Sequence, residues 1–345
     1  MKEIFNFAAI LSFALTACTH HTSISEQYST NWHTDILGDG YEARYVKQPD
    51  DYSGNVRSTI IRKNAKCDSS KHAILYVHGF NDYFFQKEMG DRFVDSCYNF
   101  YAVDLRKYGR SLSNGQTPFE ARDLKEYFTD IDSALQQIVT DGNKKITLMG
   151  HSTGGLITSY YLASNTNIKY PVINLILNSP FLDWNLSDNT ENILVPAVTF
   201  FSSVLKNVKI KQGGGTGYSH SLLKEYNGEW TYNTEWKLIK SPDVSIGWIS
   251  AIQKAQQKLQ DGKSDVKVPV LLLRSDKSVN GTSWTPEFNK ADAVLDVNDI
   301  HNYGTKISKS NVTEIVYTDG LHDLILSRKD VREKVYDDIF NWLNK

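Results

Sequence analysis

Ser152 stands inside Gly150-His151-Ser152-Thr153-Gly154, between a strand-like run, "KITLM" (145–149), and a helix-like run, "TGGLITSYYLASN" (153–165). A serine at a sharp strand-to-helix turn can act as a nucleophile, because the turn lifts its Oγ clear at the strand's carboxyl end. Small residues two before and two after the serine are the steric condition for such a turn. The helix that follows sets free N–H groups and the positive end of its dipole beneath the reacting atoms. The five-residue pattern alone is common, and its place between a strand and a helix is what gives it weight.

A nucleophilic serine needs a base, an acid to hold that base, and donors for the oxyanion. "VHGF" (77–80) follows another strand-like run, "AILYV". The backbone N–H of Phe80 and that of Thr153 are the expected pair of oxyanion donors. His78 and His151 read as hydrogen-bonded scaffolding beside them. The base is expected late in the chain, on the loop after the last strand, and His322 in "VTEIVYTDGLHDLILS" fits; His301, in a helix-like stretch, reads as solvent-facing. Two residues compete for the acid. Asp292, in "KADAVLDVNDI", is favoured as an aspartate leading into a helix. Asp276 lies directly after the strand "VPVLLLRS". In the favoured reading, the stretch between them bulges out and returns the chain to the same spot.

The elements that must deliver these residues are legible as alternating strands and helices. Two alternating runs, "YEARYVK" (41–47) and "VRSTIIRK" (56–63), open the pattern. From residue 73 onward short apolar strands alternate with amphipathic helices, including one expected over 121–141. Continuous apolar strands of this kind imply a parallel sheet buried on both faces. The rhythm stops at Pro180 and resumes with "VPVLLLRS" (268–275). An insertion, residues 181–262, therefore interrupts an α/β core over 41–180 and 263–345. It holds four of the seven tryptophans and a "GGGTG" loop that lacks the features of a phosphate loop.

These features resemble the α/β-hydrolase fold, and within it the serine-hydrolase branch that contains monoacylglycerol lipases and lysophospholipases. "GHSTGG" and "HGF" carry the resemblance, and "YAVDLRKYGRS" (101–111) is similar to a D-x-R-G-x-G-x-S stretch of that branch, with Lys107-Tyr108 where Gly-His is commoner. The resemblance covers about 68–180 and 265–345, and it makes 181–262 the expected cap, or lid. It implies hydrolysis of carboxyl esters, such as acyl glycerols or lysophospholipid-like lipids, through a Ser-His-Asp acyl-enzyme. The branch also includes aminopeptidase-like members with the same triad, so an amide substrate stays open. A non-catalytic surface-binding lipoprotein is the reading from another class. No cofactor is expected: no GxGxxG opens the sheet, and the nine histidines show no metal-ligating spacing.

Composition sets the remaining bounds. The chain has 345 residues, 40% hydrophobic and 23% charged, as an ordinary globular protein does. Its net charge of −2, without long runs of one sign, argues against a nucleic-acid partner. Oligomeric state is not legible. The first seventeen residues differ: Lys2 precedes an apolar stretch, Ile4 to Ala17, too short to span a bilayer but suited to a signal peptide. It ends in "LTAC", which resembles the lipobox of bacterial lipoproteins and implies cleavage before Cys18 and lipidation of that cysteine. Residues 18–40 would then tether the enzyme to a membrane of the cell envelope, the outer membrane or its periplasmic face, unless the signal is an ordinary secretory one. In such an oxidising compartment Cys67 and Cys97 are expected to pair, since each shortly precedes a strand and adjacent parallel strands would bring the two entry points together.

Overall fold

The computed structural model describes residues 30–67, 70–165, 168–185, 202–211, 215–309 and 311–345. Cys18 and the expected signal peptide lie outside them. The chain opens with strands β1 (His33–Thr34), β2 (Glu42–Asp51) and β3 (Gly54–Lys63), followed by β4 (His72–Val77) and helix α1 (Lys87–Asp95). Next come β5 (Asn99–Asp104), α2 (Phe128–Thr140), β6 (Lys145–His151), α3 (Thr153–Ser164) and β7 (Val172–Asn178). Between β7 and the next sheet strand stand α4 (Ser202–Leu205), β8 (Lys209–Ile210), α5 (Gly217–Leu222), β9 (Val244–Ser245) and α6 (Ile246–Gln260). The end of the chain supplies β10 (Val270–Ser275), α7 (Val297–Gly304), β11 (Val312–Tyr317) and α8 (Lys329–Leu343).

Among the described residues nine strands form one sheet in the order β1-β2-β3-β5-β4-β6-β7-β10-β11. From β5 to β11 every neighbouring pair is parallel, whereas β1, β2 and β3 join antiparallel. This is the α/β-hydrolase fold. The apolar runs fill both faces. Ala73, Leu75 and Val77 of β4 join one cluster with Ile131 of α2 and Leu156 of α3. Ile74 and Tyr76, pointing the other way, join Phe93 of α1 and Val335 of α8. Alternate residues of a strand face opposite sides, so only a strand apolar at every position can be covered twice.

Two elements differ from the sequence reading. The helix expected over 121–141 starts later, because a 3₁₀ turn at Leu124–Tyr127, closed by a capping box of Asp123 and Glu126, precedes α2. The stretch 181–262 showed no strand–helix rhythm, yet α6 is a helix seated on the core. Its buried Trp248, Ala251, Ile252 and Ala255 repeat at helical spacing and pack in the same cluster as Leu156 and Tyr160 of α3. Small and aromatic residues, rather than a run of large aliphatics, carry that stripe. Residues 218–239 instead lie over the strand ends, through contacts such as Trp230 Nε1 donating to Leu326 O at 2.7 Å.

Cys67 and Cys97 are disulfide-bonded, with Cα atoms 5.6 Å apart. They enter the neighbouring parallel strands β4 and β5. The bond closes a loop with a sequence separation of 30 residues, and closing a loop of that length removes about 3–4 kcal/mol of freedom from the unfolded chain. Replacing both cysteines by alanine is expected to lower the unfolding free energy by that order, about 3–4 kcal/mol, in guanidinium titrations. Reductant should lower the wild type to the same midpoint, and an unchanged midpoint would remove this loop closure as a source of stability.

Candidate active site

Ser152 links β6 to α3 with φ 52° and ψ −120°, outside the regions that side chains favour. Such a conformation costs about 1–3 kcal/mol and persists only where its surroundings fix it. Here they do. Ser152 N–H donates to Asn178 O at 3.0 Å, and Ser152 O accepts from Leu156 N–H at 3.1 Å and from Phe181 N–H at 3.0 Å. The flanking glycines are space requirements. A Cβ on Gly150 would meet Gly154 O at 2.5 Å, and one on Gly154 would meet Val77 O at 2.2 Å. The first glycine clears the start of α3; the second also lets the end of β4 press against it.

His322 lies five residues beyond β11, on the loop before α8. Its Nδ1 is 2.8 Å from Asp292 Oδ2, and both side chains are buried. A carboxylate can only accept, so Nδ1 carries the proton and Nε2 is left as a base. Asp292 Oδ1 accepts from the N–H groups of Val294 and Leu295, each at 2.8 Å, which fixes the carboxylate's orientation. The chain reaches Asp292 by leaving the line of β10 after Ser278 and rejoining it. Asp292 N–H donates to Lys277 O at 2.9 Å, and Val279 N–H donates to Asp292 O at 2.8 Å. Asp276 does not meet His322. It is exposed beyond β10, and its Oδ1 accepts from Asp319 N–H at 3.2 Å, tying together the loops after β10 and β11. His301 is also exposed and pairs with Glu314 at 2.9 Å.

The elbow and the His322 loop are neighbours. The rings of His151 and His322 stand 4.8 Å apart between centroids, and Tyr218 meets His322 edge-on at 5.7 Å. No hydrogen bond joins Ser152 Oγ to His322 among the described residues; contacts of this type often close only around substrate. His151 donates Nδ1–H to Asn178 O at 3.1 Å, and burial holds its pKa below the ordinary imidazole value. It is therefore neutral at pH 7 and sets no like charge beside a protonated His322.

The turn after β4 brings Phe80 to the serine. A Cβ on Gly79 would stand 3.1 Å from Ser152 Cβ, so the backbone entering Phe80 runs directly beside the elbow. Thr153 is the first residue of α3, where helix geometry leaves an N–H without an internal acceptor. His78 braces the turn: its Nδ1 donates to Gly79 O at 2.8 Å while Nε2 accepts from Leu105 N–H at 3.1 Å. The stretch 104–110 adds to this. Asp104 accepts from Phe84 N–H at 2.8 Å, and Arg110 donates to both Asp104 and Phe84 O. Lys107 takes φ 66°, a conformation glycine adopts without strain, and is held by Asp51 at 2.7 Å. On the other side of Phe80 an aromatic wall runs through Trp248 at 4.5 Å and on to Trp184 and Phe181.

The family model described as "Serine aminopeptidase, S33" matches residues 68–328, well over half of the chain. The chain belongs to this family. Solved structures with the same fold include monoglyceride lipase from Saccharomyces cerevisiae, which is 16% identical with a TM-score of 0.61, over 88% of this chain and 96% of that one. Monoacylglycerol lipase from Paleococcus ferrophilus is 16% identical with a TM-score of 0.58, over 82% of this chain and 97% of that one. A carboxyl esterase from Bacillus coagulans is 14% identical with a TM-score of 0.59, over 88% and 98% of the two chains. No curated protein sequence matches the chain.

Sequence reasoning missed the residue that joins the two halves of this candidate site. Asn178, fully buried at the end of β7, takes hydrogen bonds from Ser152 N–H and His151 Nδ1 on its carbonyl. Its side chain donates to Asp323 Oδ1 at 2.7 Å and accepts from Leu324 N–H at 3.2 Å. One residue thus fixes both the elbow and the loop that carries His322. Its only signal in the sequence is a polar residue closing the apolar run "VINLIL". Asp323, buried and held also by Gln86 Nε2 at 3.2 Å, gave no signal beyond its place next to His322. Asp292→Asn is expected to lower kcat by roughly 10⁴-fold, as losing the acid that sets the imidazole tautomer does, while Asp276→Asn leaves kcat near wild type. Steady-state ester hydrolysis measures both, and the reverse order would exclude Asp292.

Proposed function

We propose that the chain is a serine hydrolase of carboxyl esters with apolar acyl chains, such as acyl glycerols or lysophospholipid-like lipids. The observation that carries this reading is the buried 2.8 Å hydrogen bond between His322 Nδ1 and Asp292, beside the elbow of Ser152. In the proposed mechanism His322 Nε2 takes the Ser152 proton as Oγ attacks the ester carbonyl. The N–H groups of Phe80 and Thr153 donate to the developing oxyanion, each contributing about 2.7–4 kcal/mol by analogy with a measured donor of this kind. The protonated His322 gives its proton to the departing alcohol. A water molecule then attacks the acyl-enzyme with His322 again as base, and His322 returns that proton to Ser152 Oγ as the acyl–oxygen bond breaks and the free acid leaves.

The part-exposed rings of Phe80 and Trp184, backed by the buried Trp248 and Phe181, support an apolar acyl chain, because such rings offer apolar area to it. The family's description favours an aminopeptidase as the second reading. That activity needs an anionic group for the substrate ammonium. Near His151 and Tyr218 the buried Asp292 is bonded to His322 and Asp323 to Asn178 and Gln86, while the charge of Asp82 is already paired with Lys237 at 3.0 Å although its Oδ2 is unbonded among the described residues. This favours the ester. Hydrolysis of p-nitrophenyl acyl esters, with aminoacyl-anilides left intact, is the expected result for the full chain. Ser152→Ala should abolish that turnover, and turnover of anilides alone would overturn the ester reading.

The proposed place of action is the bacterial envelope, with the chain anchored by a lipid on Cys18. "LTAC" supports this, as does a disulfide of the kind that persists in oxidising compartments. Metabolic labelling with an alkynyl fatty acid should mark the wild-type chain and not Cys18→Ala. Equal labelling of the two would remove the anchor.

A further inference from the structure

The three residues after Phe80 are each held by the segment 233–238. Asn81, at φ 50°, donates Nδ2 to Leu238 O at 2.9 Å and accepts from Leu238 N–H at 2.8 Å. One side chain thereby satisfies both backbone groups of a residue distant in sequence. Asp82 pairs with Lys237 Nζ at 3.0 Å, both side chains being nearly inaccessible. The hydroxyl of Tyr83 accepts from Asn233 N–H at 2.8 Å. The Lys237 ammonium also lies 5.7–6.0 Å from the ring centroids of Phe85, Tyr232 and Tyr218.

We propose that Lys237 is a positioning residue: through Asp82, and with the Asn81–Leu238 clamp, it fixes the direction of the Phe80 N–H toward the oxyanion. The inference rests on the reading of Phe80 as an oxyanion donor. A buried ion pair is a poor device for stability, because removing both charges from water offsets most of their attraction, and apolar residues of similar size often serve as well. This pair is not fully satisfied either, since Asp82 Oδ2 has no hydrogen-bond partner among the described residues. What a buried pair of fixed geometry does supply is placement. Gly79 brings this turn against Ser152, so a shift of residues 81–83 is passed directly to the amide at Phe80. A misplacement of about 1 Å at a reacting group can cost about 10²-fold in rate.

The test uses the full chain and the double substitution Asp82→Leu/Lys237→Met, which removes both charges and leaves apolar bulk. Active enzyme is counted by stoichiometric labelling with a fluorophosphonate, and Tm is measured in parallel. The expected result is a wild-type-like Tm, kcat per labelled site lower by roughly 10- to 100-fold, and KM little changed. Affinity for an acyl trifluoromethyl ketone, whose hemiketal oxyanion needs the same donors, should fall in proportion to kcat. Tyr83→Phe, which removes only the acceptor for Asn233 N–H, should shift kcat and ketone affinity together by a smaller factor, and it serves if the double variant does not fold. Unchanged kcat and ketone affinity, or a rise in KM at constant kcat, would overturn the positioning role. Ser152→Ala separates the two levels: if it binds the ketone as tightly as wild type, no hemiketal forms on Ser152, and the proposed function with its oxyanion fails. If it loses the ketone while the double variant keeps it, only the role of Lys237 falls.

Discussion

The strained backbone at Ser152 is the constraint on which the rest of the site depends. A non-glycine residue at φ 52° and ψ −120° stays there only when its alternatives are blocked. Three backbone hydrogen bonds to β7, α3 and the turn after β7 block them. Close packing does the remainder, because Gly150 and Gly154 admit neighbouring backbone where any side chain would collide. The strain is useful because it stands a hydroxyl at the carboxyl ends of parallel strands, next to a helix start. Regular strand or helix geometry would have buried the same hydroxyl in a ladder or along a helix face.

Parallel strands explain why the partners meet. Each strand ends at the same edge of the sheet, so the loops after β4, β6, β10 and β11 share one region although they are far apart in sequence. Asn178 at the end of β7 turns this proximity into fixed geometry by bonding to the elbow and to the His322 loop at once. Burying a polar group costs free energy unless it is hydrogen-bonded. His78, His151, Asp104 and Asp323 each have a partner, and these bonds tie the turn after β4, the elbow and the His322 loop together.

The segment between β7 and β10 has two relations to this framework. Helix α6 belongs to the apolar layer over α3 and contributes Trp248 to the wall beside Phe80. Residues 218–239 instead reach across the strand ends and touch the turn after β4 and the ring of His322. A stretch that reads as an insertion in one dimension is therefore continuous with the core in three.

Much of the fold and part of the site were legible in the sequence. Apolar periodicity determined the parallel sheet and its helices, because burial on both faces demands it. Local sterics determined the elbow, since Gly-His-Ser-Thr-Gly between a strand and a helix admits few other conformations. The entry of Cys67 and Cys97 into neighbouring strands could also be read from position alone. Tertiary structure alone set Asp292, and not Asp276, against His322, because that contact turns on where a loop rejoins the sheet. It alone revealed Asn178, Asn81 and the Asp82–Lys237 pair, whose meaning comes from hydrogen-bond partners distant along the chain. Short-range sterics and periodicity are written in neighbouring residues, whereas which buried polar groups satisfy one another is fixed only when the strands have brought distant loops to one edge.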